Sequence, residues 1–443
     1  MSSPIQTIKD LLSRKKVRDF EIYLKRERGT NIEVREQKLS SLENQDSLGF
    51  GIRLFNQGRV GFAYGTDLSE SSLAILIDRA LESSKYTPTD SAVSRKGGMP
   101  SLPTFSSFDK NFSSLSFDRK IEMAKTMEKE ALAFDPRIKR VRYASYSDSA
   151  EEVFLFDTNG FDASYQKTHF SLTLMAVAEK GDDSESAYEY SFSPYLADLN
   201  PDEIGRNTSE QALALLGGKK IKSLLGPVVI NRHVASEILE LLGPSATVEN
   251  IQKKNSYLVG KLGQKIYSDA ITLIDDGLYP KGEASQPFDD EGTPCQSTCV
   301  VEGGIVRQFL ADRLWGERAG VRPTGNSFRE SALSSPALGL SNFYLKPGSL
   351  SKEALLQKMG NGLLITDAIG MHTADPISGD FSVGVQGFVV TNGQIGQPFR
   401  SVAFTGNLHE LLNKTVAVGA DLRFFGSIGS SSLLIEDASI SGD

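Results

Sequence analysis

Near Leu225 the chain changes character, and that change limits the fold more than any single motif does. Before it, segments with helical and strand periodicity are mixed. After it, short β-rich runs alternate with turn signals such as VEGGIV (301–306) and VTNGQI (390–395). No βαβ rhythm repeats along the chain, which argues against a doubly wound sheet or an eight-stranded α/β barrel. No internal repeat of fixed period is visible either. The expected fold class is α+β. Residues 1–222 should mix an antiparallel sheet with helices, with a connector at about 94–114, and residues 223–443 should form a mostly antiparallel β domain. A chain of 443 residues is too long for one core of usual size, so two or three cores are expected.

Local signals place several elements. FGIRLF and RVGFAYG read as two strands joined by a turn at Asn56 to Gly58. Ser69 can cap a helix whose buried face is Leu73, Leu76, Ile77, Ala80 and Leu81. A second helix begins at Ser116 and should bury Phe117, Ile121, Ala124, Met127, Ala131 and Phe134. Asn159-Gly160 predicts a hairpin turn. In HFSLTLMAVAE (169–179), Phe170, Leu172, Leu174 and Ala176 share one strand face. A capped helix is expected over 202–216, a short buried strand at PVVI (227–230), and a helix at VASEILELL (234–242).

Several chemistries are disfavoured. The formal charge of −8 and pI near 5.3 oppose binding to a nucleic-acid backbone, and the short basic runs SRKK (13–16) and KKIK (219–222) read as solvated faces. The N-terminal residues show no apolar segment following a basic one, and no run approaches the ~18 apolar residues of a membrane span. A cytoplasmic chain with no membrane contact is the expectation. Two cysteines, Cys295 and Cys299, cannot build a disulfide framework. Their spacing would set both on one strand face, where packing as small apolar side chains is favoured over a metal pair. No phosphate-binding loop, no dinucleotide fingerprint, and no helical pair of histidines beside a glutamate is present. His169 at the head of a strand, His233 before a helix, and His409 in the first turn of a helix that Asn407 can cap each read as surface or hydrogen-bonded histidines.

One stretch stands apart. IGMHTADPISGDFSVGVQG (369–387) gathers His372, Asp375, Ser378, Gly379, Asp380 and Phe381 between glycines. Three readings are open. Asp375-Pro376 and Ser378-Gly379 are turn formers whose side chains can serve the backbone alone. The loop can instead contact a peptide or partner, because FSVGVQGFVV is extended and its glycines leave room for a backbone to approach or add on as a strand. Serine catalysis is the weakest reading, since P-I-S-G-D is not the strained G-x-S-x-G turn.

At this point a resemblance enters. Residues 362–426, from GLLITDAIGMHTADPISGDFSVGVQGFVV through TVAVGADLRFFG, resemble the C-terminal hallmark of the TldD/PmbA family, also called modulators of DNA gyrase, and specifically its PmbA/TldE-like branch. SLGFGIRLFNQGRVGFAYGTDLSESSLAILIDRALESSKYTP (47–88) and EKGDDSESAYEYS (179–191) agree with it, so the similarity spans nearly the whole chain.

The resemblance implies a cytoplasmic two-subunit metallopeptidase acting on unfolded peptides. TldD-like chains supply zinc through a His-Glu-x-x-x-His helix and a later cysteine, and PmbA-like chains pair with them. If PVVI is laid on the equivalent family strand, the metal helix falls at Glu240 to Ser245, where this chain reads ELLGPS. Leu241 then replaces the catalytic glutamate, Ser245 replaces a histidine, and Pro244 breaks the helix. FFGSIGSSSLLIED (424–437) lacks the later cysteine. The expectation is a subunit with no catalytic residue, metal or cofactor of its own, zinc residing in a TldD-like partner, and a homo- or heterodimer. A stand-alone hydrolase using Ser378, and a peptide-binding or gyrase-associated regulator, are the competing readings.

Overall fold

The structure is a computed structural model and describes residues 2–93 and 98–442. Helix α1 (Ser2–Arg14) leads into a long hairpin, β1 (Phe20–Arg35) and β2 (Lys38–Asn56), followed by β3 (Arg59–Gly65) and α2 (Glu70–Ser84). Helix α3 (Phe117–Phe134) precedes β4 (Ile138–Asp157), β5 (Asp162–Lys180), β6 (Asp183–Ser193) and α4 (Pro201–Leu215). The six strands make one antiparallel sheet in the order β3-β2-β1-β4-β5-β6. The β2–β3 turn works because Gln57 and Gly58 both adopt positive φ, +49° and +76°, as a two-residue hairpin turn matched to strand twist requires. Ser69 and Ser116 accept the backbone N–H groups of Ser72 and Arg119, as the sequence led one to expect of caps.

Helices α1 and α2 cover one end of this sheet, where Ile8, Leu12, Ile22, Leu24, Phe50, Leu73 and Ile77 form one core. Helices α3 and α4 belong to a second core, with Met123, Met127 and Ala131 against Ile32, Val34, Tyr146, Phe170, Leu172 and Leu174. The α3 face differs from expectation. Phe117 and Phe134 are exposed, while Lys120 and Glu128 are buried. Both charges find partners inside: Lys120 Nζ lies 2.6 Å from Asp148, and Glu128 accepts the backbone N–H groups of Glu36 and Gln37 at 2.7 and 2.6 Å. A buried charge so paired and hydrogen-bonded is tolerated. Strands also run longer than expected. His169 lies well inside β5, not at its head.

The described part of the connector packs against the sheet. Connector residues 94–97 lie outside the described residues, but Leu102 packs beside Phe161 and Phe288, and Ser107 bridges to Lys167.

Beyond residue 223, β7 (Leu224–Ile230) and α5 (Arg232–Leu242) begin a β-rich region. One of its sheets joins β7 to the strands Gly362–Ile369, Asp380–Thr391, Gln394–Asn407 and Leu433–Ser441, and it closes on itself because Gln394–Asn407 also pairs with Leu433–Ser441. The only parallel pairing in this sheet is β7 with Gly362–Ile369. A second sheet of short strands packs on the same core, which includes Ile230, Ile238, Phe343, Ile365, Phe381, Phe399 and Phe404. The fold is α+β, with antiparallel sheets dominating. Cys295 precedes the strand Ser297–Glu302 and is buried, whereas Cys299 lies within it and is partly exposed, so both are free thiols with only one carried on the strand.

Where the first sheet meets the later region, charged side chains are buried in a row. Arg53 donates to Glu21 at 2.9 and 2.7 Å and to Glu291 at 3.0 Å. Arg329 donates to the same Glu21 at 2.6 Å, and its backbone N–H reaches Asp290 at 2.7 Å. The Arg329 guanidinium also lies over the Tyr23 ring, 4.5 Å from its centroid. No helix among the described residues is long and apolar enough to cross a membrane.

Candidate functional site

Asn231 caps α5 by accepting the Val234 N–H at 2.9 Å. The helix stops at Leu242, because Gly243-Pro244 cannot continue it and residues Gly243–Ala246 tighten into a 3₁₀ turn. Three positions at this end are those at which the family resemblance implies metal chemistry. Glu240 is exposed and Leu241 is half-buried hydrocarbon. Ser245 is buried, its Oγ donating to the Pro376 carbonyl at 3.4 Å while its own carbonyl accepts from Ser256 Oγ at 2.7 Å. One exposed carboxylate, one alkyl chain and one engaged hydroxyl do not make a zinc site, which needs three or four N, S or O donors converging on a point. Among the described residues no group of three His, Cys, Asp or Glu side chains is placed to hold a metal ion.

Pro376 belongs to the loop singled out in the sequence. It runs from the 3₁₀ turn Met371–Thr373 to the start of the strand Asp380–Thr391, and the side chains of Asp375, Ser378 and Asp380 bond within the loop or to Asn407. Asp375 accepts the Ile377 and Ser378 N–H groups at 2.8 and 3.1 Å, and these backbone bonds hold its pKa below the ordinary carboxylate value. Ser378 Oγ donates to Asp380 at 3.2 Å and accepts that residue's N–H at 3.3 Å. Asn407, which caps the helix Leu408–Asn413, also donates to the Ser378 carbonyl at 2.7 Å and to Asp380 at 2.8 Å.

His372, Asp375, Ser378 and Asp380 are all exposed, but the structure does not assemble them into a triad, since Ser378 spends its hydroxyl on Asp380. Gly379 and Phe381 are buried. At Gly379, φ is +84°, and a Cβ there would lie 2.7 Å from His409 Cδ2 and 3.0 Å from Asn407 Oδ1. The close approach this glycine permits is thus to the chain's own His409. Phe381 turns inward to meet the Phe404 ring edge-on at 4.9 Å. The expectation that FSVGVQGFVV could accept an added strand is corrected: Asp380–Thr391 is already paired on one side with Gly362–Ile369 and on the other with Gln394–Asn407. At Gly387 a Cβ would come within 1.9 Å of the Leu364 carbonyl, so the glycine serves this internal pairing.

Beneath the loop lies a stack that local sequence did not reveal. His409 is buried, its ring stacks on Tyr257 with centroids 3.7 Å apart, and its Nδ1 is 2.9 Å from the Tyr267 hydroxyl. These tyrosines come from a segment about 150 residues earlier in the chain, so no motif could announce them. Burial pushes the imidazole down to about 4, against a weaker opposing pull from the Ile377 backbone. An unfolded histidine titrates near ~6.5. As pH falls from ~6.5 toward 4 the unfolded chain therefore takes up a proton that folded His409 refuses, and stability should decline across that window. An NMR titration of the imidazole in the folded chain checks this; a folded value near 6.5 contradicts it. On α5, Glu237 is pushed the other way, up to about 7, by burial first and then by Asp367 and Glu240.

Comparison with known proteins agrees with this architecture over its whole length. Residues 225–442, 110–216 and 20–84 match the family models for the PmbA/TldA metallopeptidase C-terminal domain, central domain and domain 1 respectively. A protein of Escherichia coli O157:H7 named metalloprotease PmbA is 28% identical over 429 residues, covering 95% of this chain and 92% of that one. The crystal structure of a candidate modulator of a DNA gyrase from Thermotoga maritima superimposes with a TM-score of 0.92 at 28% identity, covering 99% of this chain and 100% of that one. The structure of TldE from Thermococcus kodakarensis shares the fold, with a TM-score of 0.90 at 21% identity, and covers 98% of this chain and 100% of that one. Matched by family models in three successive regions and by relatives of the same length, the chain belongs to the PmbA/TldD metallopeptidase family.

Proposed function

We propose that this chain is the PmbA/TldE-like subunit of a cytoplasmic two-subunit peptidase acting on unfolded peptides, and that the zinc sits in a TldD-like partner. The observation that carries the reading is the end of α5. Where the family resemblance puts metal ligands, Ser245 holds the Pro376 carbonyl and Leu241 replaces a base, so the loop is seated on the 3₁₀ turn after this helix by a hydrogen bond and not through a metal. The exposed groups of His372, Asp375, Ser378 and Asp380 then form a surface that a peptide or the partner can meet, while Gly379 and Phe381 hold that surface in place from below. The partner cannot pair by adding a strand to Asp380–Thr391, because both edges of that strand are already taken.

The test is metal analysis and peptidase assay of the purified chain, alone and mixed with a TldD-like partner. Alone, the chain should retain far less than one zinc per molecule after dialysis against a weak chelator, and should not cleave peptides. The mixture should retain zinc and cleave peptides. Retention of about one zinc by the isolated chain overturns the proposal and would make Cys295 and Cys299 the first ligands to examine. Turnover by the metal-free isolated chain would favour a stand-alone hydrolase.

A further inference from the structure

Away from the loop, β4, β5, the end of β6 and the turn at Gly282–Glu283 line a partly open cavity of about 200 Å³. Two opposite charges on its walls are incompletely used. Glu151 is shared between Lys25 at 2.8 Å and Lys167 at 3.3 Å, and Lys25 has Glu27 at 3.4 Å as well. Lys167 thus has Glu151 as its one ion-pair partner among the described residues, for an ammonium with three donors. On another wall lies Glu283, whose Oε2 is buried without a hydrogen-bond partner. A buried carboxylate oxygen left this way is costly unless a donor arrives. His169 also lines the cavity, with the fields of Glu283 and Lys167 acting on it in opposite senses and burial lowering its pKa. Its ring stacks on Phe192 at 5.9 Å and 16°, giving the cavity a flat aromatic wall.

We propose that this cavity binds a small zwitterion, a free amino acid or dipeptide, with its carboxylate on Lys167 and its ammonium on Glu283. A simple anion would satisfy only the lysine and a simple cation only the glutamate. The volume holds several waters at ~30 Å³ each, yet falls below the ~300 Å³ at which drug-sized ligand sites begin. That suits one or two residues. The site does not depend on a peptidase role for the chain.

The experiment is calorimetric titration of the full chain with L-alanyl-L-alanine, its N-acetylated form and its C-terminal amide. The free dipeptide should bind, and blocking either end should weaken binding about tenfold or more, because each cap removes a charge-assisted hydrogen bond. Glu283→Gln should abolish the preference for the free amine but keep that for the free carboxylate, and Lys167→Met should do the reverse. Unfolding curves establish that each variant is folded; if one is not, the comparison of capped and free ligands on the unaltered chain still decides. No binding at millimolar dipeptide means a cavity that holds water only. Equal affinity for capped and free forms, or variants that leave the preferences intact, overturns the assignment as well.

Discussion

Arg329→Met should be the most damaging single substitution in the buried charge row, lowering stability by about 3–5 kcal/mol, the usual cost of stranding a buried charge. The row alternates as Glu291, Arg53, Glu21, Arg329 and Asp290, with Glu21, Arg53 and Arg329 tied by direct ion pairs. Without Arg329, Glu21 loses one of its two arginine partners, and Asp290 loses the guanidinium that opposes the effect of its burial. Within the row, three carboxylates are then left with one arginine. Removing Glu21 instead leaves two arginines and two carboxylates, an even count, so Glu21→Met should cost clearly less although both side chains are almost fully buried. Urea unfolding followed by circular dichroism measures the order. Equal losses for the two variants, or an Arg329→Met loss below about 1 kcal/mol, would show that the row is not electrostatically coupled.

Gly379→Val should be the other large effect, and it should far exceed that of Ser378→Ala next to it. Valine at φ +84° costs about 1–3 kcal/mol in backbone strain alone. Its Cβ would also meet His409 and Asn407, so the loop must lift from the helix that carries both. Ser378→Ala removes one exposed neutral donor, worth ~0.5–1.5 kcal/mol, and should leave the activity of a reconstituted pair within a few-fold. The readouts are peptidase activity with the partner present and the NMR shifts of His409, which should move in the valine variant and not in the alanine one. Loss of activity by several powers of ten in Ser378→Ala would restore the serine to a nucleophile's role.

What the sequence disclosed and what it hid divide along physical lines. Caps at Ser69, Ser116 and Asn407, the turn at Asn56 to Gly58 and the helix break at Pro244 are decided by neighbours in the chain, and they were legible. The burial of Lys120 and Glu128 was not, because Asp148 and the Glu36-Gln37 turn that accommodate them come from distant strands. An apolar-face reading of α3 therefore chose Phe117 and Phe134 in their place. In the loop, the turn chemistry of Asp375 and Ser378 could be read locally. The occupant of the space above Gly379 could not, since His409 is brought there only by the fold. The strand Asp380–Thr391 shows the same limit: alternation and glycines indicate an extended chain, but nothing in them says that both edges are already paired.

Closure of the sheet has a consequence for synthesis. Strand β7 takes one of its neighbours from Leu433–Ser441, about 200 residues later, and the ring of strands is completed only when that segment also reaches Gln394–Asn407. While the ribosome is still producing the intervening residues, β7 and the strands around it must wait with apolar faces and open backbone edges uncovered. The first sheet, whose strands all lie between residues 20 and 193, is free to form long before. The nascent chain thus carries a finished sheet ahead of an unfinished ring, and that interval is when it most needs a chaperone.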